Sequence, residues 1–245
     1  MRFWIVTLAA MAGIAGTVSL GRWQLDRAAQ KMALHDAIEA QRNAPAVGGG
    51  VLAGHPDLSP WLHRRVTLQG EWAADRTVYL DNRQMHGRPG FYVLTPLRLA
   101  QGGVVLVQRG WVPRDFQDRT RLMPVQTPSG TVTIDGRVAP PPGRLYALGN
   151  MSEGPGAQGA SRIRQNLDLN AFRTETGLPL AEGSIVQTGA ASEGLQREWP
   201  EVATGVEKHY GYAAQWFGFG GLMAILYVWF QFIVPRRRRR APAAD

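Results

Sequence analysis

Two uncharged apolar runs bracket this chain, and they constrain its fold more than any other feature. The first runs from Phe3 to Leu20 and the second from Tyr210 to Val234. A helix that crosses the hydrocarbon core of a bilayer needs roughly 20 mostly apolar residues, and both runs reach that range. The expected architecture is a two-span α-helical membrane hairpin with an inserted, mainly-β extramembrane domain, either a small barrel or a sandwich. Along the chain, residues 3–20 are the first transmembrane helix, 21–42 a helical neck and 43–60 a linker. Residues 61–208 are the β-rich domain, 209–234 the second transmembrane helix and 235–245 a basic tail.

Charge orients the hairpin. Arg236, Arg237, Arg238, Arg239 and Arg240 follow the second run at once, and positive juxtamembrane charge resists translocation. With two spans both termini share the cytoplasmic side. The middle domain then faces the periplasm if the membrane is a bacterial inner membrane, or the intermembrane space in a mitochondrion. Arg22, Arg27 and Lys31, just beyond the first run, oppose this orientation and are outweighed by the arginine run. A cleaved signal peptide is the competing reading of the first run. Against it, Gly21 to Gln41 contains no proline and carries Trp23, Leu25, Ala28, Met32 and Ala33 among its charges, the pattern of a helix continuing out of a membrane. Small residues four apart (Ala9 and Gly13, Ala12 and Gly16, Ala214 and Gly218, Gly220 and Ala224) would let the two helices approach closely.

Most of the net charge of +8 is the terminal arginine run. It reads as a topology signal and an anionic-lipid contact rather than a nucleic-acid surface. The chain has no cysteine, which excludes disulfides, thiol redox chemistry, covalent c-type haem attachment and zinc ribbons. The five histidines show no close metal-ligand spacing. Gly154, Gly156 and Gly159 fit a G-x-G-x-x-G pattern, but Pro155 lies inside it and the strand–turn–helix context that phosphate binding needs is missing. The segment 140–160 reads as a long Pro/Gly-rich loop.

In the middle of the chain, Arg65 to Trp72 alternates with Val66, Leu68 and Gly70 on one face. Short strands are expected at 77–80, 91–99, 104–108, 131–138, 163–167 and 184–188, with a hairpin turn at 100–103. Asp168 is placed to cap a helix running to Thr176, ended by Gly177. Polar and aromatic residues cluster at what read as turns: Asn82 and Arg83, then Gly90, then Arg109, Gly110 and Trp111. Their functional reading is a docking face for a partner. Their structural reading is turn chemistry, with Arg109 stacked on an aromatic ring.

His209 is the sharpest chemical candidate. It heads the second apolar run, and on a helix its face continues through Tyr212, Ala213, Trp216 and Gly220. A neutral imidazole ligates haem iron, flanking aromatic and small residues suit a flat macrocycle, and Lys208 could meet a propionate. Gln215 is a polar group inside the run, costly unless paired. The alternative is an interfacial histidine in an aromatic belt with Tyr210 and Trp216.

Four blocks together resemble the surfeit locus protein one family, the assembly factors for haem-copper cytochrome oxidase. They are Leu20-Gly21-Arg22-Trp23-Gln24-Leu25-Asp26-Arg27; Leu80-Asp81-Asn82-Arg83 with Gly87 to Pro96; Val105 to Pro113, with Gln108-Arg109-Gly110-Trp111; and His209-Tyr210-Gly211-Tyr212-Ala213-Ala214-Gln215-Trp216-Phe217. The resemblance implies a non-enzymatic helper that assists delivery of haem a to, or its stabilisation in, oxidase subunit I. Partners would be that subunit, proteins that make or deliver haem a, and membrane lipid. His209 becomes the candidate iron ligand, and Gly110 and Tyr212 become positions of importance. Gln108 departs from the family's frequent asparagine. A docking chaperone that never touches haem, and a membrane-tethered enzyme using His63 or His86 beside a carboxylate, are the alternatives.

Overall fold

The structure, a computed structural model, describes residues 1–118, 120–143, 161–200 and 205–240. The chain divides into two units, Met1–Ala37 with Val202–Asp245, and Ile38–Glu201.

The central unit is built on one eight-stranded sheet. Its strands are β1 (Val47–Gly48), β2 (Arg65–Trp72), β3 (Val78–Met85), β4 (Arg88–Leu99), β5 (Val104–Pro113), β6 (Thr131–Ala139), β7 (Ile163–Arg164) and β8 (Ser184–Gln187). The order is β1-β2-β6-β8-β5-β4-β3-β7, and β2 also pairs with β4. That extra pairing closes a ring, β2-β6-β8-β5-β4, so the domain is a small barrel. Strand β4 makes closure possible by changing partners along its length. Residues 88–94 pair with β3, while Leu97, Arg98 and Leu99 pair with Trp72, Glu71 and Gly70. In the pairing of β4 with β5, Val93 and Leu94 oppose Gly110 and Gln108, so Arg109 is the extra residue of a bulge in β5, a device that bends a strand in a barrel wall.

Alternation fills the barrel. Strand β2 buries every second residue, placing Val66, Leu68 and Trp72 against Leu97, Val107, Val138 and Ile185. Each fully buried aliphatic side chain contributes about 1.5–3 kcal/mol relative to exposure. A second apolar layer lies where the helix Leu169–Thr176 lays Phe172 against Val78, Leu80, Leu94 and Leu106. Asp168 caps this helix by accepting from the Ala171 amide (3.0 Å), and Gly177 ends it in the left-handed region.

Several boundaries differ from expectation. Strands β3 and β5 run on through Met85 and Pro113, so Asn82, Arg83, Arg109, Gly110 and Trp111 lie in strands, not turns. Polar content misled the reading, because sheet pairing satisfies the backbone whatever the side chain. The actual turn between β3 and β4 is His86-Gly87, both at positive φ, the two-residue geometry that matches strand twist. The expected linker holds strand β1, a single helical turn Gly49–Leu52 and a 3₁₀ turn Ser59–Trp61. Leu52 and Leu58 from this stretch enter the barrel core. The G-x-G-x-x-G segment lies outside the described residues.

In the other unit, the first apolar run belongs to one helix, Arg2–Asn43. The second spans Val206–Val228, a π-helical stretch Trp229–Ile233 and a last turn Val234–Arg240. Both are long and apolar enough to cross a membrane, and only 6% of each apolar window is buried. So little burial is unlike a soluble core helix, and the chain is membrane-associated. The two helices pack on each other along a narrow seam. The less exposed positions include Thr7, Ala10, Ile14, Thr17, Gly21, Gln24 and Ala28 on one helix, with Gly13 beside Ile14. On the other they include Val206, His209, Ala213, Trp216, Gly220, Met223 and Tyr227, with Ala224 beside Met223. Both sets step by three and four, the seven-residue spacing of a left-handed helix pair.

Candidate functional site

Five of the six residues expected on a docking face are interior. Arg109 and Trp111 are fully buried, Arg83 is 8% exposed, and Gly90 and Gly110 are buried; only Asn82 reaches the surface. They build the domain instead. Asn82 takes a left-handed φ of 59° in the bulge between Leu80 and Arg83. The Trp111 Nε1–H donates to the Arg83 carbonyl at 2.9 Å, and the Arg83 guanidinium donates to the carbonyls of Gly143 and Gln165. Arg109 lies over the Trp72 ring at 4.7 Å. It donates to Thr127 Oγ1 (2.7 Å), the Gln126 carbonyl (2.8 Å) and Glu193 (2.8 Å). Arg197, also buried, donates to the Arg109 carbonyl and approaches the same carboxylate at 3.4 Å. One carboxylate therefore serves two buried guanidiniums.

The enzyme alternative looked to His63 and His86. His86 pairs with Glu198 at 2.6 Å, with both side chains mostly exposed. His63 has no carboxylate partner in the hydrogen bonds and ion pairs of the described residues. It stands in a left-handed conformation (φ 69°) with its amide donating to Val138. Burial first, then the charges of Arg137 and Arg42, hold its pKa below the ordinary histidine value of 6.5. The unfolded chain therefore takes up this proton first as pH falls. Stability should be full above about pH 6.5 and decline as pH drops from there through the folded-state pKa. His63→Asn, which tolerates left-handed backbone, should flatten that part of a melting-temperature profile between pH 7.5 and 5. An unchanged profile would show that His63 does not govern it.

In the helix pair, His209 lies on the seam and its Nδ1 is 2.8 Å from Gln24 Oε1. The expected face is right for Ala213, Trp216 and Gly220, but Tyr212 is 51% exposed and off the seam. The reason is register: from position 209 the three-and-four spacing selects 213 and 216. Lys208 and Gln215 are exposed as well, so the side-chain amide at the seam is that of Gln24 rather than Gln215. Trp216 stacks edge-on with Phe219 at 6.0 Å. Sequence reasoning missed Gln24 because it sits among charges; counting three on from Gly21 would have found it. Of the small-residue pairs, Gly13 approaches Met223 and Gly220 approaches Thr17, whereas Gly16 and Gly218 face nothing within 4 Å. Gly21, against Phe217, is the tightest of these positions. Among the described residues no three His, Cys, Asp or Glu side chains cluster to hold a bare metal ion.

Comparison with known sequences gives one consistent answer. The SURF1 family matches residues 11–221. A SURF1-like protein of Rickettsia felis is 27% identical over 218 residues, covering 86% of this chain and 90% of the relative. An uncharacterized SURF1-like protein of Mycobacterium bovis is 28% identical over 236 residues, covering 92% and 82%. A SURF1-like protein of Dictyostelium discoideum is 40% identical, but over 55 residues, 22% of this chain and 20% of the relative.

Proposed function

We propose that this chain, which belongs to the SURF1 family and so acts in cytochrome oxidase assembly, handles haem a for subunit I of a haem-aa3-type oxidase, and that His209 would hold the haem iron. The observation that carries this reading is the placement of His209: a part-exposed imidazole at one end of an apolar helix pair, held through Nδ1 by Gln24. A bare ion would need several protein ligands. Haem iron carries most of its ligands in the macrocycle and is held in proteins by as little as one histidine, so His209 alone would be a sufficient donor set. When bound, haem would supply only its own metal centre; the chain's part is to ligate, shelter and release it. Trp216 and Ala213 offer apolar contact, while the exposed Lys208 offers a cation for a propionate. No covalent step is required, and the role is non-enzymatic.

In this reading the helices cross a bacterial inner membrane with both termini cytoplasmic and the barrel in the periplasm, oriented by the arginine run. Oxidase subunit I and the proteins that make or deliver haem a are the partners, reached within the same membrane. The test is an optical spectrum of the purified protein co-expressed with haem a synthesis, for wild type and His209→Ala. A haem a band in wild type that vanishes in His209→Ala is the expected result. No band in either folded protein would sink the carrier and leave a docking chaperone. A band in both would move the ligand elsewhere.

A further inference from the structure

The geometry points to Gln24 as the positioning residue of His209, holding the imidazole as its Nδ1–H tautomer and leaving the Nε2 lone pair as the ligand atom. The consequence for haem rests on the ligand reading above; the tautomer does not.

A neutral imidazole has one N–H and one lone pair, and the hydrogen bond made by one nitrogen decides what the other can do. Gln24 Oε1, an acceptor, lies 2.8 Å from Nδ1. The proton therefore belongs on Nδ1. Nε2 has no hydrogen-bond partner among the described residues, and a lone pair there is what a metal needs. The helix pair keeps Gln24 in place. Gly21, one turn earlier on the same seam, is so close to Phe217 that an added Cβ would come within 2.8 Å of that ring, and Gly220 is similarly close to Thr17. A glycine of each helix is thus in near contact with a side chain of the other on the side of Gln24 that leads into the apolar run. In such surroundings an unpaired amide or imidazole N–H is costly, so the two polar groups favour each other over rotating apart.

The role differs from packing because it depends on an acceptor. Gln24→Met keeps length and bulk without one, and Gln24→Glu keeps the acceptor and adds charge. A partner of this kind typically governs metal affinity by roughly 10–100-fold. The experiment uses the full chain in detergent, labelled with ¹⁵N-histidine and free of haem, with the His209 signals assigned by difference from His209→Ala. The expected result is an Nδ1–H tautomer in wild type and Gln24→Glu, and a shift toward Nε2–H in Gln24→Met. Titration with haem should then show affinity reduced about 10–100-fold in Gln24→Met and retained in Gln24→Glu, whose more basic imidazole lowers the reduction potential. A wild-type Nε2–H tautomer, or one unchanged in Gln24→Met, overturns the assignment. The expected tautomers with no haem binding by any protein support the positioning role and overturn the haem reading.

Discussion

Glu193→Gln should destabilise the barrel by about 3 kcal/mol, near the lower end of what breaking a buried ion pair costs. Arg109 is fully buried and the Arg197 side chain is 3% exposed, while Glu193 is 20% exposed. Glutamine can still accept a hydrogen bond, but it leaves two buried guanidiniums without a counter-charge. Partial exposure of the carboxylate lets water screen some of the loss, which argues for the lower end. The local backbone points the same way. Glu193 and Gly194 form a tight turn with φ of 59° and 80°, closed by Ser192 and Leu195. Such positions favour Asn, Asp and Gly, and holding another residue there costs on the order of 1 kcal/mol or more. Glu193→Asn should relieve that strain and still destabilise, because the charge goes with it. Urea unfolding of the full chain in detergent, followed by tryptophan fluorescence, would measure both. A loss below about 0.5 kcal/mol for both variants, the range of an exposed pair, would show that the carboxylate is not what holds the arginines.

Gly110→Val should have an effect at least as large, with the folded protein failing to accumulate in the membrane. A Cβ at Gly110 would stand 2.8 Å from both the Gln196 carbonyl and Leu195 Cβ. Neither neighbour can retreat easily. Trp111 and Gln196 exchange two backbone hydrogen bonds of 2.8 and 2.9 Å, and Leu195 is 1% exposed in a cluster with Phe91, Val93 and Val112. Overpacking costs about 1–3 kcal/mol and sometimes more; a β-branched side chain against pinned backbone belongs at the top. The displaced segment also carries Arg197 and leads back to Glu193, so the charge cluster would be disturbed in the same event. Gly16→Val is the control, since nothing lies within 4 Å of a Cβ there. Equal accumulation of Gly110→Val and wild type would remove the steric argument.

Both predictions reinterpret residues that stood out in the sequence. Arg109, Gly110 and Trp111 look like a recognition patch when read as a string. Their burial turns them into the frame of the domain, and any loss of oxidase assembly on changing them is expected to run through folding. The helix pair behaves differently. His209 was legible because it heads an apolar run, and the capped helix after Asp168 was legible because its signals are local. Gln24 was not, because its importance comes from a neighbour 185 positions away in the chain.

What the sequence by itself determined is whatever depends on composition over short distances: two spans from apolar length, a β domain from alternation, a helix from its cap and its terminal glycine, and the family from four ordered blocks. What only the tertiary structure decided is which residues face each other. Closure of the barrel rests on β4 changing partners from β3 to β2, and the Glu193 carboxylate meets buried Arg109 from 84 positions away in the chain. Pairings of this kind join segments far apart in the chain. Their energy comes from packing and desolvation in the assembled fold, and local sequence carries no record of either.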